Sequence, residues 1–288
     1  MNGPYVVSAD IYLLLKKWAS AKNFTLPSAE FFADLRSDFR DKLATIFARV
    51  DLLSEDKLQD GLRSLMAHER RPTVSLDRVY TEAQFTLELT RAVNARGDDL
   101  GLVNRFGAPA LERQLEPLRD LKEVVLVDDV IFSGDLFVKV IDRLAEIGVK
   151  VGGAYAGVGI GPGLDKIRDH GIQANCVYEY SEVIDEICER DFYPGVPLSG
   201  RLVAGNGNIS LPYILPFGRP GAWASIPGEL QKDFSEFCWQ QTITLFSEIE
   251  RCSQRIVRCT DLERSVKEFF GQESRYVDAI AAILPLHS

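Results

Sequence analysis

Histidine is scarce in this chain. Only three occur in 288 residues (His68, His170 and His287), and they lie far apart. The five cysteines (Cys176, Cys188, Cys238, Cys252 and Cys259) contain no Cys-x-x-Cys pair, and an odd number cannot all pair internally. These scarcities argue against a His/Cys metal cluster and a disulfide framework, and they predict a reduced, cytoplasmic chain. Long apolar runs are missing too, since none approaches the ~20 residues of a membrane span. Met1 to Lys17 does not read as a secretory signal, because its lysines follow the apolar stretch instead of preceding it. An excess of positive charge is also lacking: 33 Lys and Arg stand against 42 Asp and Glu, for a net charge of -9. That balance opposes the basic field with which proteins neutralise nucleic-acid phosphates. No internal repeat and no low-complexity tract is visible. The expectation is a soluble protein with neither membrane nor nucleic acid as partner.

What is present is ordinary for a globular chain, with 46% hydrophobic and 26% charged residues. The first seventy residues read as helices over Asp10–Ala21, Ser28–Leu53 and Ser54–His68, with Ile11, Leu14, Leu15 and Trp18 on one face of the first. The pattern then changes. Thr73–Leu76 reads as a strand, 81–95 as a helix ending before Gly97, and Leu100–Val103 as a second strand. Glu123–Val127 is the clearest buried strand and Leu136–Ile147 an amphipathic helix; Lys150–Val158, Leu164–His170 and Ala174–Tyr180 continue the alternation. Strands alternating with helices at this spacing predict an α/β fold, a parallel sheet with crossover helices. Residues 191–228 are rich in Gly and Pro, and helices return from Glu229 through a last one near Asp261–Phe270. The expected organisation is a helical N-terminal segment (1–71), an α/β core (72–205), and a loop with a helical C-terminal segment (206–288).

The stretch 124–136 carries the chemistry. Four apolar residues, Val124, Val125, Leu126 and Val127, deliver Asp128 and Asp129 at the carboxyl end of a strand. Val130, Ile131 and Phe132 follow, and then Ser133, Gly134 and Asp135 turn into a helix that starts with Leu136. Ligands of open α/β sheets sit outside the carboxyl ends of strands, and helix N-termini attract phosphate. Two carboxylates beside a phosphate cradle suit a phosphorylated sugar: the acids accept its hydroxyls and the amides hold its phosphate.

This stretch resembles the phosphoribosyl pyrophosphate (PRPP) motif of type I phosphoribosyltransferases, in which four apolar residues precede two acids, two apolar residues, a variable one, Thr or Ser, Gly, a variable one, and Thr or Ser. The acid pair falls on Asp128 and Asp129 and the phosphate loop on Phe132, Ser133 and Gly134. The resemblance covers roughly Thr73 to Tyr180. It implies a pyrophosphate loop from Asp77 and Arg78 to Thr81, and a flexible closing loop over Asn104–Lys122. Arg78, with Arg105 or Arg113, would hold pyrophosphate. It implies a phosphoribosyltransferase-like core and glycosyl transfer, or N-glycosidic chemistry, at a ribose phosphate, PRPP or nucleotide. Mg²⁺ would arrive with the ligand and be held indirectly by Asp128 and Asp129. It further implies an aromatic residue stacking on a nucleobase, for which Phe192 and Tyr193 stand in the comparable segment, with Arg201 placed to meet a phosphate. Two positions depart from the motif: Leu136 replaces the last hydroxyl, and Asp135 is an acid beside the phosphate. Asp135 either caps its helix and points away, or makes the cradle less suited to a doubly charged phosphate.

Other motifs fail on inspection. A receiver domain also opens with two acids after a strand, but it would leave Ser133 and Gly134 without a role. The glycine run 157–163 places Pro162 where a dinucleotide fingerprint needs its third Gly, and Ser199 lacks the Gly two residues before it that a nucleophile elbow requires. The alternative from another class is a regulator that binds PRPP or a nucleotide without transferring it. The helical flanks offer such a protein a surface for a homodimer or a protein partner.

Overall fold

In chain order the first elements are β1 (Tyr5–Ser8), α1 (Ile11–Lys22), α2 (Ala29–Ala44), β2 (Val50–Leu53) and α3 (Glu55–Leu65). Next come β3 (Thr73–Ser75), β4 (Phe85–Thr86), β5 (Leu89–Val93), β6 (Asp99–Asn104) and α4 (Leu111–Leu115). The centre of the chain holds β7 (Glu123–Ile131), α5 (Asp135–Glu146), β8 (Lys150–Ile160), α6 (Gly161–Asp169), β9 (Ala174–Tyr180) and β10 (Asp185–Cys188). The rest is β11 (Arg201–Val203), β12 (Ile209–Leu211), α7 (Pro220–Ala224), α8 (Gln231–Ser253), α9 (Arg264–Phe270) and α10 (Tyr276–Ala281). This computed structural model describes residues 3–94, 98–205, 209–282 and 284. His287 and residues 95–97, the end of one expected helix, lie outside them.

The described residues divide into two compact units. The first gathers Leu53–Arg91 and Leu100–Ile184; the second gathers Pro4–Leu52, Ala92–Asp99 and Asp185–Ser288. The division therefore does not follow the expected boundaries at 71/72 and 205/206. The N- and C-terminal segments share one unit, and α3 belongs with the sheet.

In the first unit, β4, β3, β7, β8 and β9 lie side by side in that order, with every adjacent pair parallel. Val124, Val125, Leu126 and Val127 are fully buried, as the middle strand of a sheet covered on both faces requires. Each such side chain contributes about 1.5–3 kcal/mol of burial. One face packs Leu126, Ala154 and Ala174 against Phe137, Val140 and Leu144 of α5 and Leu164 and Ile167 of α6. On β8 and β9 the opposite face takes α3, where a Cβ on Gly61 would stand 2.3 Å from Val177 Cγ1.

In the second unit β1 runs parallel to β10, with Tyr5 opposite Asp185 and Ser8 opposite Cys188. β11 pairs antiparallel with β12. Phe39 of α2, Phe234 of α8, Phe192 and Tyr193 form a buried aromatic cluster, with ring centroids 5.3–6.2 Å apart.

Three expected elements differ. The helix expected over 81–95 is replaced by β4 and β5: Leu87 and Leu89 are buried while Thr86 is exposed, a period of two, and Leu87 N–H donates to Ser75 O at 2.9 Å. The helix expected over Ser28–Leu53 stops at Ala44, and Val50–Leu53 forms a strand. The expected flexible segment Asn104–Lys122 carries α4 and a 3₁₀ turn at Glu116–Leu118, whose Leu111, Leu115 and Leu118 are buried in the sheet core.

Candidate functional site

β3 is followed by β4 on one side and by β7 on the other, so the strand order reverses between β3 and β7. The crevice at such a reversal, outside the carboxyl ends of the strands, is where open α/β sheets bind ligands. Acids stand near both carboxyl ends, Asp77 just after β3, and Asp128 and Asp129 late in β7, before Val130 and Ile131. Ser75 lies opposite Val127, and two residues on from that pair stand Asp77 and Asp129.

Asp77 is buried and organises its own loop. Its Oδ1 accepts Val79 N–H at 2.7 Å, and its Oδ2 accepts Tyr80 N–H at 2.6 Å and Thr81 N–H at 3.0 Å. Burial, reinforced by the charge of Asp129, raises its pKa from 3.8 to about 6. Asp128 is buried as well. Burial first, and then the charges of Asp129 and Asp77, push its carboxyl well above the usual range. Asp128 Oδ1 accepts Asp129 N–H at 3.0 Å, and Asp129 Oδ1 accepts Val130 N–H at 2.8 Å. Among the described residues no Lys or Arg forms an ion pair with Asp77 or Asp128. The same loop holds a buried hydroxyl, Thr81 Oγ1, that has no hydrogen-bond partner among the described residues. The sheet edge thus gathers three carboxylates whose repulsion is unrelieved by any cation on Asp77 or Asp128. Ligand hydroxyls donating to them, or a metal ion, would relieve it.

The turn after β7 is fixed from the neighbouring strand. Gly134 adopts φ +75°, and a Cβ there would stand 2.8 Å from Gly163 O; a Cβ on Gly163 would stand 2.3 Å from Phe132 O. The two strand-to-helix turns therefore touch backbone to backbone, which only glycine permits. Ser133 Oγ donates to Asp135 Oδ2 at 2.6 Å and accepts from Arg91 Nη2 at 2.9 Å, while Lys166 Nζ donates to Asp135 Oδ1 at 2.5 Å. Asp135 does not point away. The Lys166 ammonium and the Ser133 hydroxyl hold its carboxyl below the usual range. Leu136, where the motif has a hydroxyl, packs partly buried against the core.

On the other side of the crevice Arg78 and Arg105 converge on one carboxylate: Glu88 Oε2 lies 3.3 Å from Arg78 Nη1 and 3.8 Å from Arg105 Nε. Val130 and Ile131 form the end of β7. Phe192 and Tyr193 belong to the second unit and are fully buried, with ring faces taken by Phe39 and Phe234. Core packing accounts for both, and they present no ring to a base. Arg201, in the same unit, stacks over Tyr213 and Trp223.

The sequence pattern did not single out Glu88, Arg91 or Lys166. The signal for Lys166 is the glycine pair Gly161 and Gly163: a second Gly-rich strand-to-helix turn, beside Gly134, brings α6 close enough for Lys166 to reach Asp135.

The donors suit Mg²⁺ in one way only. No group of three or more His, Cys, Asp or Glu side chains among the described residues is arranged to hold a metal by itself. Asp77 and Asp128, which no Lys or Arg among the described residues pairs, would fit a cation that comes coordinated to a ligand.

No protein-family profile matches the chain, and no curated protein does. Among solved structures, orotate phosphoribosyltransferase from Aeropyrum pernix aligns over 42% of this chain and 68% of its own, at 17% identity and a TM-score of 0.27. Adenine phosphoribosyltransferase from Thermoanaerobacter pseudethanolicus aligns over 43% and 79%, at 9% identity and 0.28. UMP synthase of Leishmania donovani aligns over 44% and 27%, at 13% identity and 0.27. At these scores the likeness is partial and does not assign the chain to a family. Among the described residues, no helix is long and apolar enough to cross a membrane.

Proposed function

We propose that this chain binds a ribosyl phosphate or nucleotide in the β3/β7 crevice and carries out glycosyl transfer or N-glycosidic chemistry there, in the manner of phosphoribosyltransferases. The observation that carries the reading is the gathering of Asp77, Asp128 and Asp129 at the topological reversal, beside a Ser-Gly turn into α5. The motif supplies the sugar-phosphate chemistry, and the geometry supports it.

Asp128 and Asp129 accept the ribose hydroxyls and orient the anomeric carbon, so that positioning lowers the barrier. Negative charge on this acid pair, beside a ribosyl group, would stabilise the positive charge that develops as the leaving group departs. A bound cation or ligand hydroxyls would favour the ionised form of Asp128. Asp77 holds the 77–81 loop through three N–H bonds, which keeps Arg78 and Thr81 at the edge of the crevice. Thr81 Oγ1 is the unused polar atom a ligand can satisfy. Asp128 and Asp129 would hold Mg²⁺ indirectly, through the ligand, and the ion would supply charge neutralisation for a pyrophosphate leaving group.

The experiment is a transfer assay. PRPP, nucleoside monophosphates and pyrophosphate-linked nucleotides are incubated with Mg²⁺, and release of pyrophosphate or of the free base is followed. Turnover that is lost in Asp129→Asn supports the enzyme reading. Binding without turnover of any ligand would favour a non-catalytic regulator.

A further inference from the structure

We infer that Asp135 sets the charge of the ligand this site takes: the phosphate end accepts one negative charge, so the ribosyl ligand carries a 5′-phosphodiester and not a terminal phosphomonoester. This inference rests on the ribose-phosphate reading of the β3/β7 crevice.

Both oxygens of Asp135 are engaged, Oδ2 by the Ser133 hydroxyl at 2.6 Å and Oδ1 by Lys166 Nζ at 2.5 Å. The carboxylate is therefore held on the very hydroxyl that a phosphate loop offers its ligand. Ser133 has a single proton, and it is given to Asp135; Ser133 Oγ accepts from Arg91 Nη2 at 2.9 Å and from Asp135 N–H at 3.4 Å. The turn cannot back away, because Gly134 and Gly163 already meet at backbone distance, and Leu136 gives no second hydroxyl. Charge then decides the ligand. Arg91 and Lys166 bring two positive charges and Asp135 one negative, which leaves a single positive charge. A phosphodiester monoanion neutralises it. A phosphomonoester, whose second pKa lies near 6, is close to a dianion at pH 7.5 and leaves an unbalanced negative charge against a pinned carboxylate. Between charges a few ångströms apart at an intermediate dielectric, that repulsion corresponds to about tenfold or more in affinity.

The test is titration calorimetry at pH 7.5 with ribose 5-phosphate and its methyl ester, on the wild type, Asp135→Asn and Asp128→Asn; Asp135→Ser serves as a second variant that keeps a small polar side chain at the first residue of α5. The expected result is that the wild type binds the methyl ester about tenfold more tightly than the monoester, and that the monoester gains about tenfold in Asp135→Asn. Equal or tighter binding of the monoester by the wild type, or an unchanged ratio in both Asp135 variants, overturns the inference. Binding of either ester that survives Asp128→Asn refutes the site itself. Silence from both esters on the wild type and both Asp135 variants refutes site and inference together.

Discussion

Replacing Asp128 by Asn is expected to stabilise the ligand-free protein while removing a residue the site needs. Asp128 is buried beside two other acids, and nothing positive among the described residues pairs with it. Its neighbour Asp77 shows the scale: a pKa of about 6 against the ordinary 3.8 corresponds to about 3 kcal/mol of unfavourable burial and repulsion. Asp128 is displaced in the same direction by the same causes. Protonation limits its cost, because the folded chain can always take up a proton, so the penalty is capped at about 5 kcal/mol at pH 7.5 and about 2 at pH 5. The sign follows from the raised pKa. The folded state keeps a proton that the unfolded state has released, so stability falls as pH rises from the unfolded value through the folded one. Asparagine has no such dependence, and its Oδ1 can still accept the Asp129 N–H. Asp128→Asn is therefore expected to be more stable than the wild type at pH 7.5, by no more than about 5 kcal/mol, with a correspondingly higher Tm. The gain shrinks toward pH 4. Asp77→Asn offers a contrast: it gives up one of two oxygens that together accept three N–H groups, so its gain is smaller. Urea and thermal unfolding at pH 5 and pH 7.5, without Mg²⁺ or phosphate, make the comparison. A variant no more stable than the wild type at pH 7.5, or an equal gain at both pH values, would refute the reasoning.

Two further outcomes follow from the same geometry. Gly163→Ala places a Cβ 2.3 Å from Phe132 O; it is expected to cost about 1–3 kcal/mol in urea unfolding, and to weaken ribose-phosphate binding by pushing the α5 turn away. Phe192→Leu trims the aromatic cluster of the second unit and is expected to cost about 1–2 kcal/mol, with ligand affinity unchanged within about twofold, because its ring faces Phe39 and Phe234. A large loss of affinity without a loss of stability would restore it as a base-stacking residue.

Much of the sheet was legible because its signals are local. The continuous apolar run 124–127, three of its four residues β-branched, reads as a strand buried on both faces, and the β7, α5, β8, α6, β9 alternation emerged with boundaries within a few residues. The acid pair and the Ser-Gly turn were legible as well, since a strand end and a helix start lie within one short stretch. What was hidden depends on pairing at a distance. Leu87 and Leu89 fit a helix by composition, and only the edge of β3, which needs a partner at Ser75, decides for β4. The short β1 gives no periodicity to read, and its partner β10 lies far along the chain. Asp77 stood out only through the resemblance; its role as the anchor of three loop N–H groups required the fold. Glu88, Arg91 and Lys166 are ordinary charged residues until the turns of neighbouring strands bring them to Arg78, Ser133 and Asp135. Phe192 and Tyr193 misled because an aromatic pair beside a Pro-Gly turn reads alike whether it faces a ligand or the core.

The central claim is that the acids at the β3/β7 reversal hold a ribosyl phosphate. Titration calorimetry with PRPP, ribose 5-phosphate and pyrophosphate-linked nucleotides, each with Mg²⁺, tests it most directly on the wild type and on Asp128→Asn/Asp129→Asn. The account predicts micromolar binding of at least one of these ligands to the wild type, and its loss in the double variant while that variant remains folded and more stable. Binding that persists undiminished in the double variant, or no binding of any of these ligands to the wild type, would contradict it.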